Sequence, residues 1–119
     1  MGIMRNDKDN LIMKLSLEFA LDIIAFSEKL EENKKFVIAR QILRSGTSIG
    51  SNIREAQNAE SRLDFIHKMK IAAKEADETG YWLTLCELSE KYPFDKNLQE
   101  KLTSIINIIS KIIITAKSK

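Results

Sequence analysis

Residues 44–56, RSGTSIGSNIREA, are the stretch that decides the fold. The stretch continues a helical pattern, yet it contains Gly46, Gly50 and several Ser, Thr and Asn side chains, all of which are poor helix formers. Each internal glycine costs a helix about 0.8–1 kcal/mol relative to alanine. Packing must recover that free energy, and small side chains let a second helix backbone come close. The sequence therefore predicts a tightly packed helix inside a helical bundle.

The predicted helix spans residues 34–58 and has distinct faces when it is laid out at about 100° per residue. One face is expected to form core and contains Ala39, Ile42, Leu43, Gly46, Ile49, Gly50, Ile53 and Ala56. The opposite face carries arginines, small hydroxyls and an amide: Arg40, Arg44, Thr47, Ser51, Arg54 and Asn58. The flank between them holds Gln41, Ser45, Ser48 and Asn52, which suit either water or a second protein surface.

Three further segments have helical periodicity, at residues 10–32, 61–91 and 96–116. Their predicted core stripes are Ile12, Leu15, Phe19, Ile23, Phe26 and Leu30; Phe65, Met69, Ala72, Ala76, Thr79 and Leu83; and Leu98, Leu102, Ile105, Ile109, Ile112 and Ala116. Residues 1–9 are expected to be loose. Long helices joined by short links favour antiparallel neighbours. The predicted fold is all-α: an antiparallel up-down-up-down four-helix bundle in a single domain, residues 1–119.

Polar residues near the predicted helix ends supply caps. Asn33 is placed to cap the second helix, and Asp95 or Asn97 to cap the fourth. Ser61 and Asp64 have the spacing of a capping box at the start of the third.

The net charge of +2 is unevenly distributed. Residues 34–74 contain nine Lys/Arg and three Asp/Glu, whereas the segments on either side are slightly acidic. A basic middle is suited to a polyanion, although the segments could equally neutralise each other in the folded bundle. The polar start resembles no signal peptide, and no 18-residue apolar run exists. With Cys86 as the one cysteine, we expect a reducing, cytoplasmic setting.

The chain lacks the residues from which catalytic sites in helical bundles are built. A di-iron bundle needs two Glu-x-x-His motifs and two further carboxylates, but His67 is the sole histidine. Asp64 precedes it by three residues, on what is predicted to be the outer side of the third helix. Cys86 falls on the apolar side and is expected to be a small core residue rather than a nucleophile. We therefore expect no enzyme, no metal and no cofactor or small-molecule substrate.

The third helix has a second apolar patch. Ile71 and Trp82 lie about 100° from its core line, and their burial against another subunit would explain their size. With Ser48 and Asn52 on the neighbouring helix, they form the predicted oligomer interface. The alternative is that the third helix touches two neighbours within one bundle.

The runs RSGTSIGSNIREA and AESRLDFIHKMKIAAKEADETGYWL, together within about residues 36–85, resemble the four helix bundle proteins, also called 23S rRNA intervening-sequence (S23) proteins. The resemblance implies an antiparallel four-helix bundle, a homo-oligomer that is pentameric in some members, and a role connected with RNA. Many members have Gly-Ser where this chain has Lys74-Glu75, so close packing is not expected to carry over there.

Two hypotheses of function follow. In the first, the protein is a non-enzymatic oligomer that binds RNA or a ribonucleoprotein, with phosphates held by Arg40, Arg44, Arg54, Lys70 and Lys74. This hypothesis fails if these side chains are consumed by carboxylate pairs within the chain or between subunits. In the second, the protein is a structural adaptor whose faces assemble a ring and present a protein partner, without nucleic acid. A solvated basic face would look the same in sequence.

Overall fold

The computed structural model describes the backbone from Asp7 to Lys119 and the side chains from Leu11 onward. Its four helices are α1 (Asp7–Glu32), α2 (Phe36–Ala56), α3 (Arg62–Leu88) and α4 (Lys96–Lys117). No strand occurs between residues 7 and 119, so the described chain is all-α, as predicted.

The helices form a ring in which α1 packs against α2 and α4, and α3 packs against α2 and α4. Contacts between neighbours run in opposite directions along the chain. Gly46 lies against Ile23 and Gly50 against Ser16, so α1 and α2 are antiparallel. Ion pairs show that α2 and α3 are also antiparallel, because Arg44 pairs with Glu75 and Glu78 whereas Glu55, farther along α2, pairs with the earlier residue Lys68 of α3.

The fourth helix completes the arrangement. A Cβ placed on Gly80 would lie 3.5 Å from Leu102, and Glu87 contacts Gln99 farther along α3, so α3 and α4 are antiparallel. Ion pairing of Asp22 with Lys101 joins α4 to α1. The bundle therefore has up-down-up-down topology.

The core follows the predicted stripes closely. All the predicted core residues of α3 and α4 are buried, and on α1 only Leu15 is partly exposed. The prediction for α2 was wrong at Leu43, which is 38% exposed, and at Gly50, which is half-buried, while Ser45 is fully buried. The reason is the position of α2 between α1 and α3, which turns its inner face toward Thr79 on α3.

Several helix ends differ from the predicted bounds. α1 begins at Asp7 rather than Asn10, because no glycine or proline interrupts the helix there; residues 1–6 of the segment expected to be loose lie outside the described residues. Lys34 has a φ of 63° and Lys91 a φ of 68°, so neither belongs to a helix. Accordingly, α2 begins at Phe36 rather than residue 34, and α3 ends at Leu88 rather than residue 91.

The observed helix caps differ from the prediction at Asn33 and agree with it at Ser61 and Asp95. Asn33 closes α1, donating from Nδ2 to the carbonyl of Lys29 at 2.8 Å, and does not cap α2. Ser61 caps α3 by accepting from the backbone N–H of Asp64 at 3.0 Å. Asp95 caps α4, accepting from the N–H of Asn97 at 2.9 Å. Of the described helices, none is both long and apolar enough to cross a membrane.

Candidate nucleic-acid interface

Arg44, the centre of the predicted basic stripe, is engaged within the bundle. Its guanidinium pairs with Glu75 at 3.2 Å and with Glu78. The hydrogen bond to Glu78 raises the pKa of Arg44 most, and Glu75 adds to the effect, while burial opposes it. Glu78 also accepts from the indole N–H of Trp82 at 3.2 Å. Arg44 therefore joins α2 to α3, and its guanidinium is engaged by two carboxylates; that it also holds a phosphate stays a prediction.

Two further contacts join α2 to α3. Lys68 pairs with Glu55 at 2.9 Å, and that carboxylate raises the pKa of Lys68. Beside the Arg44 ion pairs, a buried hydrogen bond of 2.8 Å links the hydroxyls of Ser45 and Thr79. Small polar side chains on α2 thus form specific bonds to α3 in addition to allowing close approach.

The other four predicted phosphate ligands are exposed and do not form a single stripe. Arg54 lies beside a groove between α1 and α2. Lys70 lies next to Lys117 at the end of α4, and this second positive charge lowers the pKa of Lys70. Arg40 and Lys74 are exposed on α2 and α3. None of these four side chains forms an ion pair with another described residue.

The four residues of the predicted oligomer interface are half-buried. Asn52 donates to the carbonyl of Ser48 at 2.8 Å, and Ser48 donates to that of Arg44 at 2.6 Å, so both bonds stay within α2. Trp82 packs against the core, and its ring is edge-on to Tyr81 with centroids 5.4 Å apart. Ile71 is also half-buried. Trp82 therefore has contacts within the bundle; that a second subunit covers these four residues stays a prediction.

An apolar surface on α1 and α2 was missed by the sequence reasoning. Leu17, Leu21 and Ile24 on α1 are 63%, 61% and 41% exposed. Leu17 also belongs to a groove of about 450 Å³ between α1 and α2, which is lined by Met13, Lys14, Ser16, Leu17, Ala20, Thr47, Gly50, Ser51 and Arg54. The spacing of the three exposed side chains by four and three residues, away from the core stripe, is visible in the sequence and could have indicated this surface.

Among the described residues, the side chains that could act as a nucleophile or as a metal ligand are not grouped into one site. Cys86 is buried in the core, and burial raises the pKa of its thiol to about 11. His67 is exposed on α3. Within the described part of the chain, no three His, Cys, Asp or Glu side chains are grouped so that they could hold a metal ion.

Comparison with known proteins places this bundle in a family. Residues 8–115 match the model of the 23S rRNA-intervening sequence protein. The chain belongs to this family. Its fold is also that of a protein with unknown function from the S23 ribosomal protein family of Bacteroides thetaiotaomicron, with 47% sequence identity and a TM-score of 0.84. The similarity covers 89% of this chain and 97% of that one. No curated protein matches the chain.

Proposed function

We propose that this protein is a non-enzymatic, cytoplasmic, oligomeric bundle that binds RNA or a ribonucleoprotein through exposed cations. The observation that carries the proposal is the state of Arg40, Arg54, Lys70 and Lys74, which are exposed and form no ion pair with another described residue. Cations left in this state are available to phosphates, which supply most of the affinity in nucleic-acid binding. Membership of a family whose name refers to 23S rRNA supports RNA as the polyanion.

Fluorescence anisotropy with a structured rRNA fragment tests this function. We expect binding at about 50 mM salt that weakens steeply toward about 200 mM, because phosphate contacts release counterions. The Arg40→Glu/Arg54→Glu variant should bind more weakly while light scattering reports an unchanged mass. Arg44 is unsuitable for this variant since its replacement breaks contacts between α2 and α3.

The second candidate is a structural adaptor that assembles from copies of this chain, with the pentamer that the family resemblance implies. Two exposed leucines of α1 favour it, Leu17 in the groove between α1 and α2 and Leu21 one turn along α1, because apolar side chains gathered on one face are typical of protein contacts. Light scattering of Leu17→Lys/Leu21→Lys should report a smaller mass than the wild type. Leu63→Lys, at a side chain that is 79% exposed on α3, is the matched control and should leave the mass unchanged.

The two candidates give different results. If Arg40→Glu/Arg54→Glu loses RNA binding but keeps its mass, the RNA-binding proposal is supported. If the wild type forms an oligomer yet binds no RNA at about 50 mM salt, that proposal is wrong and the adaptor function stands.

A further inference from the structure

Charge is segregated along the length of the bundle. The antiparallel register brings the start of α1, the end of α2, the start of α3 and the end of α4 to the same end. We call residues 11–20, 48–75 and 108–119 the basic end, and residues 21–47 and 76–107 the opposite end. The basic end has nine Lys/Arg and five Asp/Glu, a formal charge of +4. The opposite end has eight Lys/Arg and ten Asp/Glu, a formal charge of −2. Residues 1–10 are neutral overall.

Three of the five carboxylates of the basic end have a partner in the structure, and one of these partners belongs to the opposite end. Glu55 is paired with Lys68, and Glu75 is paired with Arg44, which belongs to the opposite end. Asp64 accepts a backbone hydrogen bond from Glu60 at 3.3 Å. Of these three carboxylates, Glu75 alone is paired with a cation of the opposite end, so it does not offset a cation of the basic end.

The cations of the opposite end are more often engaged by other side chains than the cations of the basic end. At the opposite end, Arg44 and Lys101 form ion pairs, and Lys35 lies over the ring of Tyr92 at 4.7 Å. At the basic end, Lys68 is the one cation that pairs with a described carboxylate. The following basic-end cations have no ion pair within the described residues: Lys14, Arg54, Arg62, Lys70, Lys74, Lys111, Lys117 and Lys119.

Two of these lysines are close together. The contacts of Gly80 with Leu102 and of Glu87 with Gln99 set a register between α3 and α4 that places Lys70 opposite the last turn of α4. The lowered pKa of Lys70, caused first by Lys117, has the same origin, since a neighbouring positive charge disfavours protonation. A phosphate between the two ammonium groups would relieve this repulsion.

The exposed aromatic side chains are not at this end. Phe36 and Tyr81, which are 48% and 60% exposed, belong to the opposite end. At the basic end, Phe19 and Phe65 are buried in the core. Proteins that bind unpaired strands stack bases on aromatic rings, whereas duplex RNA is contacted largely through phosphates and 2′-hydroxyls.

We propose that the basic end of the bundle binds the phosphate backbone of duplex RNA, with Lys70 and Lys117 holding one phosphate and Lys74 adding a further contact. The inference rests on the proposed function and deepens it, because it names the class of RNA and places the principal phosphate contacts at the end of the bundle that holds Arg54, Lys70 and Lys74. The site recognises phosphate geometry rather than base sequence.

The test compares two double variants with the same change in charge. Lys70→Ala/Lys117→Ala should weaken the binding of a duplex rRNA stem about tenfold and make the slope of log K against log salt shallower by about 2. The matched control, Lys29→Ala/Lys96→Ala, removes two exposed lysines from the opposite end and should change affinity less than about twofold. Lys70→Arg/Lys117→Arg keeps the charge and should retain binding. Circular dichroism and light scattering monitor fold and mass.

Each result has a definite meaning. Equal losses in the two alanine variants would overturn the proposal, since binding would then depend on net charge alone, and so would an unchanged Lys70→Ala/Lys117→Ala variant. Tighter binding of a single strand than of the duplex stem would overturn the assignment of duplex RNA. A parallel titration with inorganic polyphosphate separates the two proposals. If the wild type binds polyphosphate through this lysine pair but no RNA, the proposed function fails and the phosphate site stands; if it binds neither, both fail.

Discussion

Gly46 is the residue that most directly sets the approach of α2 to α1. A Cβ at this position would lie 2.8 Å from Cγ2 and 2.9 Å from Cγ1 of Ile23, which is fully buried, so one of the two residues must shift. At Gly50 the nearest atoms would be 3.4 Å away, which is ordinary van der Waals contact. The close approach of Ile23 therefore requires a glycine at position 46, whereas position 50 has room for a Cβ. The sequence alone did not distinguish the two glycines.

We expect Gly46→Ala to lower the free energy of unfolding by about 1–3 kcal/mol, because overpacking outweighs the gain in helix propensity. Gly50→Ala is the matched control and should leave stability unchanged or raise it by up to about 1 kcal/mol. Urea denaturation followed by circular dichroism measures both. A Gly46→Ala variant as stable as Gly50→Ala would show that the contact with Ile23 does not constrain the helix pair.

The buried thiol of Cys86 gives a pH-dependent contribution to stability. Its folded-state pKa of about 11 lies above the usual 9.0, so the unfolded chain loses the thiol proton first as pH rises. The contribution is complete below about pH 9 and is lost as pH rises to about 11, with a maximum of about 3 kcal/mol. Between those pH values, wild-type stability should fall more steeply than that of Cys86→Ala. Parallel pH profiles would contradict this account.

At the scale of elements, the pairing of α2 with α3 was only partly visible in the sequence. The periodicity placed Ile49 and Ile53 of α2 and Phe65 and Met69 of α3 in the core, because apolar spacing follows directly from helix geometry. It did not identify Ser45 as buried, since a serine on a flank can face water or a partner equally well. The partner, Thr79, becomes evident only when the register of the two helices is fixed.

A double-mutant cycle on this buried hydrogen bond tests its contribution. Thr79→Val should lower the free energy of unfolding by about 1–2 kcal/mol, because the hydroxyl of Ser45 loses its 2.8 Å partner inside the core. Adding Ser45→Ala to Thr79→Val should cost less than Ser45→Ala alone, with a coupling of about 1 kcal/mol. Costs that are additive within about 0.3 kcal/mol would mean that the two hydroxyls do not stabilise the helix pair together.

The ion pairs on the same interface should contribute less. Arg44→Ala is expected to lower stability by no more than about 1 kcal/mol, because the Arg44 side chain is 49% exposed and solvent screens the pair. Arg40→Ala, which removes an exposed arginine one turn earlier on α2, is the control and should be neutral. Thermal unfolding at low and high salt measures the difference, which should shrink as salt rises. Equal effects of the two variants would contradict the role of Arg44 between the helices.

At the scale of the whole molecule, topology was predictable and the distribution of charge was not. Long amphipathic segments with short links leave few arrangements other than an antiparallel bundle, so the sequence pattern predicted the four-helix fold. The predicted basic stripe assumed that cations of one helix face act together. In the folded chain, Arg44 faces carboxylates, Arg54 faces α1 and Lys70 faces α4, and these neighbours depend on the register between helices that are distant in sequence.

Binding of RNA by the wild-type protein is the central claim, and its salt dependence is the most direct test. Anisotropy of a labelled duplex rRNA stem should give a plot of log K against log salt with a slope of about −3 or steeper between about 50 and 200 mM, as expected for several phosphate contacts at once. Light scattering on the same samples gives the mass of the complex. A slope near zero, or no binding at about 50 mM salt, would contradict the account and leave the exposed cations with a role in assembly or solubility.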